Sequence, residues 1–202
     1  MGRKTKIEKQ MILEAAFELL DEGGIEAVAI KSIAAKLGCS TQPVSWQFGS
    51  MTELKKELYF YAGEKMFNDL PAKMENKPAF EAFFISGIHY ISTACDHPNV
   101  FRFLNVDSTE KTVGERLTGP GSIFELQFDK HSYEIIAKEY KVPEDKLRSA
   151  VRDIVIYTHG LAVMMIFDNF RMPKKQALKM VYDMGVIVMG TLGIEPPEFK
   201  IQ

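Results

Sequence analysis

The stretch from Ile30 to Phe48, IKSIAAKLGCSTQPVSWQF, constrains the fold more than any other part of the chain. Apolar residues at positions 33, 34 and 37 share one face of a first short helix, and Gly38 follows where a left-handed C-terminal cap favours glycine. Ser40 or Thr41 can cap a second helix, and Pro43 falls in its first turn, where no intrahelical donor is lost. The stretch therefore predicts two short helices joined by a tight turn.

The second of these helices has one apolar edge and a polar outer surface. Val44 and Phe48 are four residues apart and form the edge, while the small side chain of Ala34 lets the first helix cross closely. This is the helix-turn-helix pattern, in which the second helix enters the major groove of DNA. On spacing alone, a helical hairpin that binds nothing remains an equal alternative.

Length and composition indicate an ordinary globular protein. The 202 residues allow one large domain or two small ones, and 46% apolar with 26% charged residues suits a sizeable core. No apolar run approaches the roughly 20 residues of a membrane span, and the polar N-terminus does not resemble a signal peptide. Two cysteines, Cys39 and Cys95, do not form a disulfide framework. We therefore expect a cytoplasmic protein with no membrane partner.

The charge distribution is informative mainly at the N-terminus. The formal net charge is −2, and residues 1–60 hold equal numbers of basic and acidic side chains, which counts against strong non-specific DNA binding. Four of the basic side chains lie within the first nine residues, and those preceding Ile7 form a predicted basic arm. The four are Arg3, Lys4, Lys6 and Lys9.

Helical periodicity continues along the whole chain, and no segment alternates like a strand. An amphipathic helix is predicted from Ile7 to Glu22, and a fourth helix from Met51 to about Leu70, where Pro71 ends it. Ser50 is placed to cap that fourth helix. Further helices are predicted over residues 79–95, 99–105, 122–140, 144–167 and 174–192, with a loop or frayed helix over 107–121. We expect an all-α fold with a helix-turn-helix domain at 1–50 and a helical ligand-binding and dimerisation domain at 51–202.

The order of motifs over residues 7–62 resembles the tetracycline-repressor (TetR) family. The matching features are a helix, Gly23-Gly24, IKSIAAKLGCS, a short helix, Phe48-Gly49-Ser50, and a leading helix with Glu53-Leu54. The resemblance implies a DNA-binding head followed by an all-helical body that binds a ligand and dimerises. It also implies a transcriptional regulator, by expectation a repressor, whose partners are double-stranded operator DNA, a small effector and a second copy of the chain.

Several phosphate anchors of the family pattern are absent from this sequence. The usual capping Thr or Ser before the turn is Ala29, the usual Tyr is Ser45, and the usual Lys at the start of the fourth helix is Met51. Lys55 and Lys56, one turn further on, can substitute for the missing lysine. These departures bear on the strength of DNA binding. A TetR-like protein that has lost DNA binding therefore remains an alternative.

The exposed face of the second helix supplies the predicted DNA contacts. The amides of Gln42 and Gln47 can pair with an adenine edge, and Trp46 can pack against a thymine methyl or the sugar–phosphate wall. Hydroxyl and ammonium groups around them are expected to bond phosphates. The predicted DNA-binding residues are Lys31, Thr41, Gln42, Pro43, Ser45, Trp46, Gln47 and Lys55.

The last two helices carry apolar stripes at three- and four-residue spacing. We expect them to join two protomers as a four-helix bundle, with small residues such as Gly160 and Gly185 allowing close approach. One stripe is Leu147, Ala150, Val151, Ile154, Thr158, Leu161 and Met165, and the other is Ala177, Val181, Met184, Val188 and Leu192.

The body is rich in Phe and Met, which is compatible with plain core packing or with a compliant apolar pocket. We expect a small, largely hydrophobic effector there, lined by Phe84, Phe101, Phe103, Phe124, Phe128, His131, His159, Met164 and Phe167. The four histidines form no spaced ligand pair, and no nucleophile elbow or phosphate-binding loop is present. We therefore expect no metal, no cofactor and no enzyme activity. The alternatives are a helical small-molecule-binding protein that has lost DNA binding and a helical enzyme.

Overall fold

The computed structural model describes residues 7–118, 130–167 and 169–195, with side chains from 133 onward in the second range. The described residues form α-helices, a 3-10 turn (Ile25–Ala27) and connections, without a strand. In chain order the helices are α1 (Lys9–Gly23), α2 (Ile30–Lys36), α3 (Thr41–Phe48), α4 (Met51–Phe67), α5 (Leu70–Met74), α6 (Ala79–Asp96), α7 (Pro98–Asn105), α8 (Thr109–Val113), α9 (Lys130–Glu139), α10 (Glu144–Met165) and α11 (Lys174–Thr191). This confirms the all-α prediction.

Helices α1, α2 and α3 form the predicted helix-turn-helix head. Gly38 has φ +62°, the left-handed conformation that its place after α2 predicts. Val44 and Phe48 are buried against α1 and α2, so the apolar edge of α3 packs inward as expected. The predicted cap at the start of α3 is wrong in detail: Ser40 occupies the N-cap position, but its side chain accepts no backbone hydrogen bond.

One helix boundary also differs from the prediction. Helix α4 ends at Phe67, and Pro71 lies in the first turn of the separate helix α5 rather than ending a longer one. Proline lacks a backbone N–H, and an N–H in the first turn of a helix has no intrahelical acceptor in any case. A proline therefore suits the start of a helix as well as its end. Residues 107–121 were predicted as a loop or a frayed helix, and residues 109–113 within them are helical, with Ser108 accepting a cap bond from the Lys111 amide at 3.4 Å.

The body is built on the packing of α6 against α10 and α11. Gly185 is buried where α11 crosses α6, and a Cβ there would overlap the ring of Phe84. The close approach expected from Gly185 is thus made within one protomer. The α10 stripe is also largely internal, since Leu147, Val151 and Ile154 are buried in the same core.

Helix α4 joins the head to the body. It packs against α1 and α3 on one side and against α7 and α8 on the other. The hydroxyl of Tyr59 on α4 donates to the carbonyl of Leu104 on α7 at 3.4 Å. At the end of α1, Asp21 is held by Nδ1 of His97 at 2.9 Å and by the side-chain amide of Asn99 at 2.8 Å. Helix α7 of the body therefore contacts both α1 and α4 directly.

No helix in the described parts of the chain combines the length and apolar character needed to cross a membrane.

Candidate nucleic-acid interface and effector pocket

The outer face of α3 presents the predicted contact residues to solvent. Thr41, Gln42, Ser45 and Trp46 are exposed, and Pro43 is half-buried. Trp46 is 86% exposed, although the opposite face of the same short helix is buried. The Ser45 hydroxyl donates its proton to the carbonyl of Thr41 at 3.2 Å. While this bond is made, the hydroxyl can accept a hydrogen bond from a further partner but cannot donate one. The helix thus offers a continuous outward surface centred on Gln42 and Trp46.

Gln47 lies at one edge of this surface and is tied to the start of the described chain. Its Nε2 donates to the carbonyl of Ile7 at 3.2 Å. The bond uses one of the two Nε2 hydrogens, so the other hydrogen and Oε1 stay available to a further partner, while the side chain is anchored toward Ile7. Nothing in the sequence signals this contact, because the two residues are 40 positions apart.

The lysines of the head differ sharply in their surroundings. Within residues 7–60, three are held in ion pairs: Lys9 with Glu57 at 2.6 Å, Lys36 with Glu18 at 2.9 Å, and Lys56 with Glu115 at 2.7 Å. The acids beside Lys36 and Lys56 raise the pKa of both ammonium groups.

Lys31 and Lys55 have no ion pair among the described residues, and they are two of the predicted phosphate contacts. Lys56, the other candidate substitute for the missing family lysine, is instead occupied by Glu53 and Glu115. The ammonium groups available for phosphate in the described head are therefore those of Lys31 and Lys55.

A small cavity lies between α6, α10 and α11 in the body. Its volume is about 20 Å³, room for one water molecule, so a larger ligand requires side chains to move. Of the predicted ligand-binding residues with described side chains, Phe84 lines it. The other lining residues are Phe83, Ser86, Gly87, Tyr90, Ile154, Val155, Thr158 and Val181. Positions 83, 87 and 90 lie on one face of α6, and this spacing is the sequence signal that could have identified them as lining one cavity.

A polar pair closes one end of this region. The hydroxyl of Tyr90 lies 2.9 Å from Nδ1 of His159. Burial raises the pKa of Tyr90 and lowers that of His159, so both groups favour their neutral forms, and the imidazole tautomer decides which of them donates. This contact links α6 to α10 beside an apolar space and supplies a hydrogen-bonding group there.

The remaining predicted ligand-binding residues are distributed elsewhere. Phe101 packs edge-on against Tyr90, with ring centres 4.9 Å apart, and Phe103 packs in the same way on Tyr59 at 5.8 Å. Both are buried core residues outside the cavity. Met164 and Phe167 are exposed, and Phe167 lies under the Arg102 guanidinium at 5.6 Å. Phe124 and Phe128 lie outside the described residues, as does the side chain of His131.

The two longest C-terminal helices each expose apolar side chains. Ile156 on α10 and Ile187 on α11 are both 63% exposed, and Met164 is also exposed. A Cβ on Gly160 would meet nothing within 4 Å, so the helix surface between Ile156 and Met164 is open. Exposed apolar groups of this size on the predicted dimerisation helices mark a candidate interface.

The described side chains contain no group of three or more His, Cys, Asp or Glu residues arranged to hold a metal ion.

Known proteins resemble this chain in the sequence of the head and in the overall fold. Residues 12–58 match the model of the bacterial regulatory proteins of the tetR family. No curated protein sequence matches the chain significantly.

Solved structures match nearly the whole chain. A TetR-like transcriptional regulator from Rhodococcus sp. RHA1 is 16% identical, covering 96% of this chain and 99% of that one, with a TM-score of 0.61. A second transcriptional regulator from the same source is 14% identical (94% and 100% covered, TM-score 0.63). A TetR variant from Acinetobacter baumannii AYE in complex with minocycline is 16% identical (92% and 96% covered, TM-score 0.59). The head therefore matches the tetR family model over residues 12–58, and the chain as a whole shares the fold of these solved structures.

Proposed function

We propose that the protein is a repressor that binds operator DNA as a homodimer and responds to a small, largely hydrophobic effector. The observation that carries the DNA-binding part is the outward face of α3. Trp46 is 86% exposed there, next to Gln42, while Val44 and Phe48 hold the helix rigidly on the head. In this arrangement Gln42 reads an adenine edge and Trp46 packs on a thymine methyl or on the sugar–phosphate wall. Lys31 and Lys55 neutralise phosphates beside the groove.

The dimer is proposed to form through the exposed faces of α10 and α11. Ile156 and Ile187 would lie in its centre, and Gly160 would let the helices of two protomers approach closely. A two-fold axis places the two heads on equivalent half-sites. The operator is then a pseudo-palindrome with half-sites about one helical turn apart.

The effector is proposed to enter between α6, α10 and α11 by enlarging the cavity beside Phe84. The apolar lining selects a hydrophobic molecule, and the Tyr90–His159 pair offers one directional hydrogen bond. Enlargement would displace α6, which is joined to α7 at His97. Helix α7 in turn packs against α4 and α1. An effector that favours the displaced arrangement changes the spacing of the heads and releases DNA.

Selection from a random double-stranded DNA library tests the proposal without assuming an operator sequence. The purified protein should enrich a pseudo-palindromic site, and Trp46→Ala should bind that site more weakly. Ser40→Ala is the matched control, since its exposed side chain makes no cap hydrogen bond. Failure to enrich any sequence at low salt would refute the DNA-binding function and favour a TetR-like protein that has lost it.

A further inference from the structure

We propose that the cleft between the head and helix α7 is a second small-molecule site, and that its ligand is a basic amino acid or a compound with the same pattern of charges. The cleft has a volume of about 610 Å³, within the usual range of small-molecule sites. Its walls come from the connection between α1 and α2 on the head side and from α7 on the body side. Such a site is separate from the apolar cavity between α6, α10 and α11, and ligand binding there does not depend on DNA binding.

Three charged side chains line the cleft. They are Arg102 on α7, Asp107 just after that helix, and Glu26 in the 3-10 turn of the head. None of the three forms an ion pair or a side-chain hydrogen bond with any other residue that the structure describes. Nearby at the end of α1, by contrast, the carboxylate of Asp21 is held by His97. The cleft therefore gathers charges of both signs whose polar partners are still to be supplied.

Arg102 provides a group that can bind a carboxylate. Its guanidinium lies over the ring of Phe167, 5.6 Å from the ring centre, and this contact limits the positions that the charge can take. The guanidinium fork matches the two oxygens of a carboxylate. Arg102 is close enough to lower the pKa of Asp107, yet the two side chains form no ion pair. A gap therefore separates them, and one ligand can contact both.

The carboxylate of Asp107 favours a cationic partner. Burial raises the pKa of Asp107, Arg102 opposes this rise, and the negative charge of Glu26 adds to it. An ammonium group of a ligand beside Asp107 would be stabilised by the charged carboxylate and would stabilise it in turn. Asn99 adds a neutral acceptor, because its Nδ2 donates to the carbonyl of Asp21 at 2.8 Å and its Oδ1 is left for a ligand N–H.

The number of charges defines the class of ligand. One guanidinium and two carboxylates are complemented by one carboxylate and two cationic groups, which is the charge pattern of lysine, ornithine and arginine. The α-carboxylate and α-ammonium would contact Arg102 and Asp107, and the side-chain cation would contact Glu26, which is exposed at the rim. Ile25 and Ile166 line the same cleft and can pack on the methylene chain between the two cationic groups.

Isothermal titration calorimetry of the full-length protein with L-lysine tests the site. L-Lysine should bind the wild-type protein saturably. Arg102→Gln and Asp107→Asn should each weaken binding at least about tenfold, as expected for the loss of a charge-assisted hydrogen bond. Lys138→Gln and Glu134→Gln are the controls, since they remove the same charges from exposed positions on α9 and should bind as the wild type does. Absence of saturable binding up to about 10 mM L-lysine overturns the proposal. A loss of the same size in the control variants also overturns it.

Two shortened ligands test which side chain each charge contacts. Cadaverine is lysine without its carboxylate, so it should bind the wild-type protein more weakly than L-lysine and lose no further affinity in Arg102→Gln. The compound ε-aminocaproate lacks the α-ammonium, so it should be insensitive to Asp107→Asn and remain sensitive to Arg102→Gln. In such a double-mutant cycle, the losses are non-additive where the two deleted groups contact each other. Losses that simply add for both ligands would show that these charges do not meet in the cleft and would overturn the proposal.

Discussion

The hydroxyl of Tyr90 and Nδ1 of His159 are hydrogen-bonded across 2.9 Å, joining α6 to α10 at the edge of the body cavity. Burial holds the pKa of His159 below its ordinary value of 6.5. As the pH falls, the His159 imidazole is therefore protonated at a higher pH in the unfolded chain than in the folded one. Stability that depends on the neutral imidazole is fully present above about pH 6.5 and is lost as the pH drops through the folded pKa.

Urea unfolding at pH 7.5 and pH 5.5 tests this linkage. The wild-type free energy of unfolding should decrease on acidification, and His159→Gln should decrease less because one proton-linked group is gone. Other groups titrate equally in both proteins, so the difference between them reports on His159. The same loss in both proteins would show that His159 does not contribute.

The contact of Gly185 with Phe84 predicts an asymmetric response to added methyl groups on α11. Gly185→Ala should destabilise the fold by about 1–3 kcal/mol, because the new Cβ overlaps the buried ring of Phe84. Gly190→Ala is the matched control on the same helix. Its Cβ meets nothing within 4 Å, so it should stabilise by about 0.5–1 kcal/mol through helix propensity. Thermal or urea unfolding of both variants measures the difference, and equal effects would contradict the described packing.

The lysine environments predict which head cations contribute to DNA affinity. Lys31→Ala or Lys55→Ala should each weaken operator binding for all sequences and lower the salt slope by about 0.9, since each variant leaves one phosphate without its cation. Lys36→Ala changes the net charge equally, but Lys36 is already paired with Glu18 and Glu22. Anisotropy titrations should therefore give Lys36→Ala a wild-type slope. Equal slopes for all three variants would show that ion pairing does not select the contacts.

Dimerisation is tested by placing charge on the exposed apolar faces. Ile156→Glu and Ile187→Glu should shift the protein from dimer to monomer in sedimentation velocity at micromolar concentration, because paired carboxylates would be desolvated at the interface. Ile135→Glu, on α9, is the control: its side chain is also exposed, at 50%, but lies outside the last two helices. A wild-type protein that sediments as a monomer would contradict the proposed dimer.

Local patterns made the head predictable from the sequence. Gly38 marks the turn, and the four-residue spacing of Val44 and Phe48 gives the buried edge of α3, so neither depends on distant contacts. Ser50 caps α4 through the Glu53 amide at 3.1 Å, as predicted, because capping also acts within one turn. Pro71 was ambiguous, since a proline fits both the end of one helix and the beginning of the next.

Long-range packing limited the prediction of the sites. Gln47 meets Ile7, and Phe84 meets Gly185, across separations that periodicity cannot resolve. The aromatic content of the body correctly suggested apolar packing, but the pattern could not separate a cavity-lining residue such as Phe84 from a core residue such as Phe101. Both are phenylalanines at helical spacing, and only the packed structure assigns one of them to the cavity.

The proposed binding of DNA by the exposed face of α3 is measured most directly by the fluorescence of Trp46. Trp46 is the only tryptophan of the chain and is 86% exposed, so its emission reports on the recognition surface alone. Titrating the selected operator duplex should shift the emission or quench it, with saturation at one dimer per duplex. A shuffled duplex of the same length should have little effect at the same salt concentration. Unchanged Trp46 emission at an operator concentration that saturates binding by anisotropy would contradict DNA binding through α3.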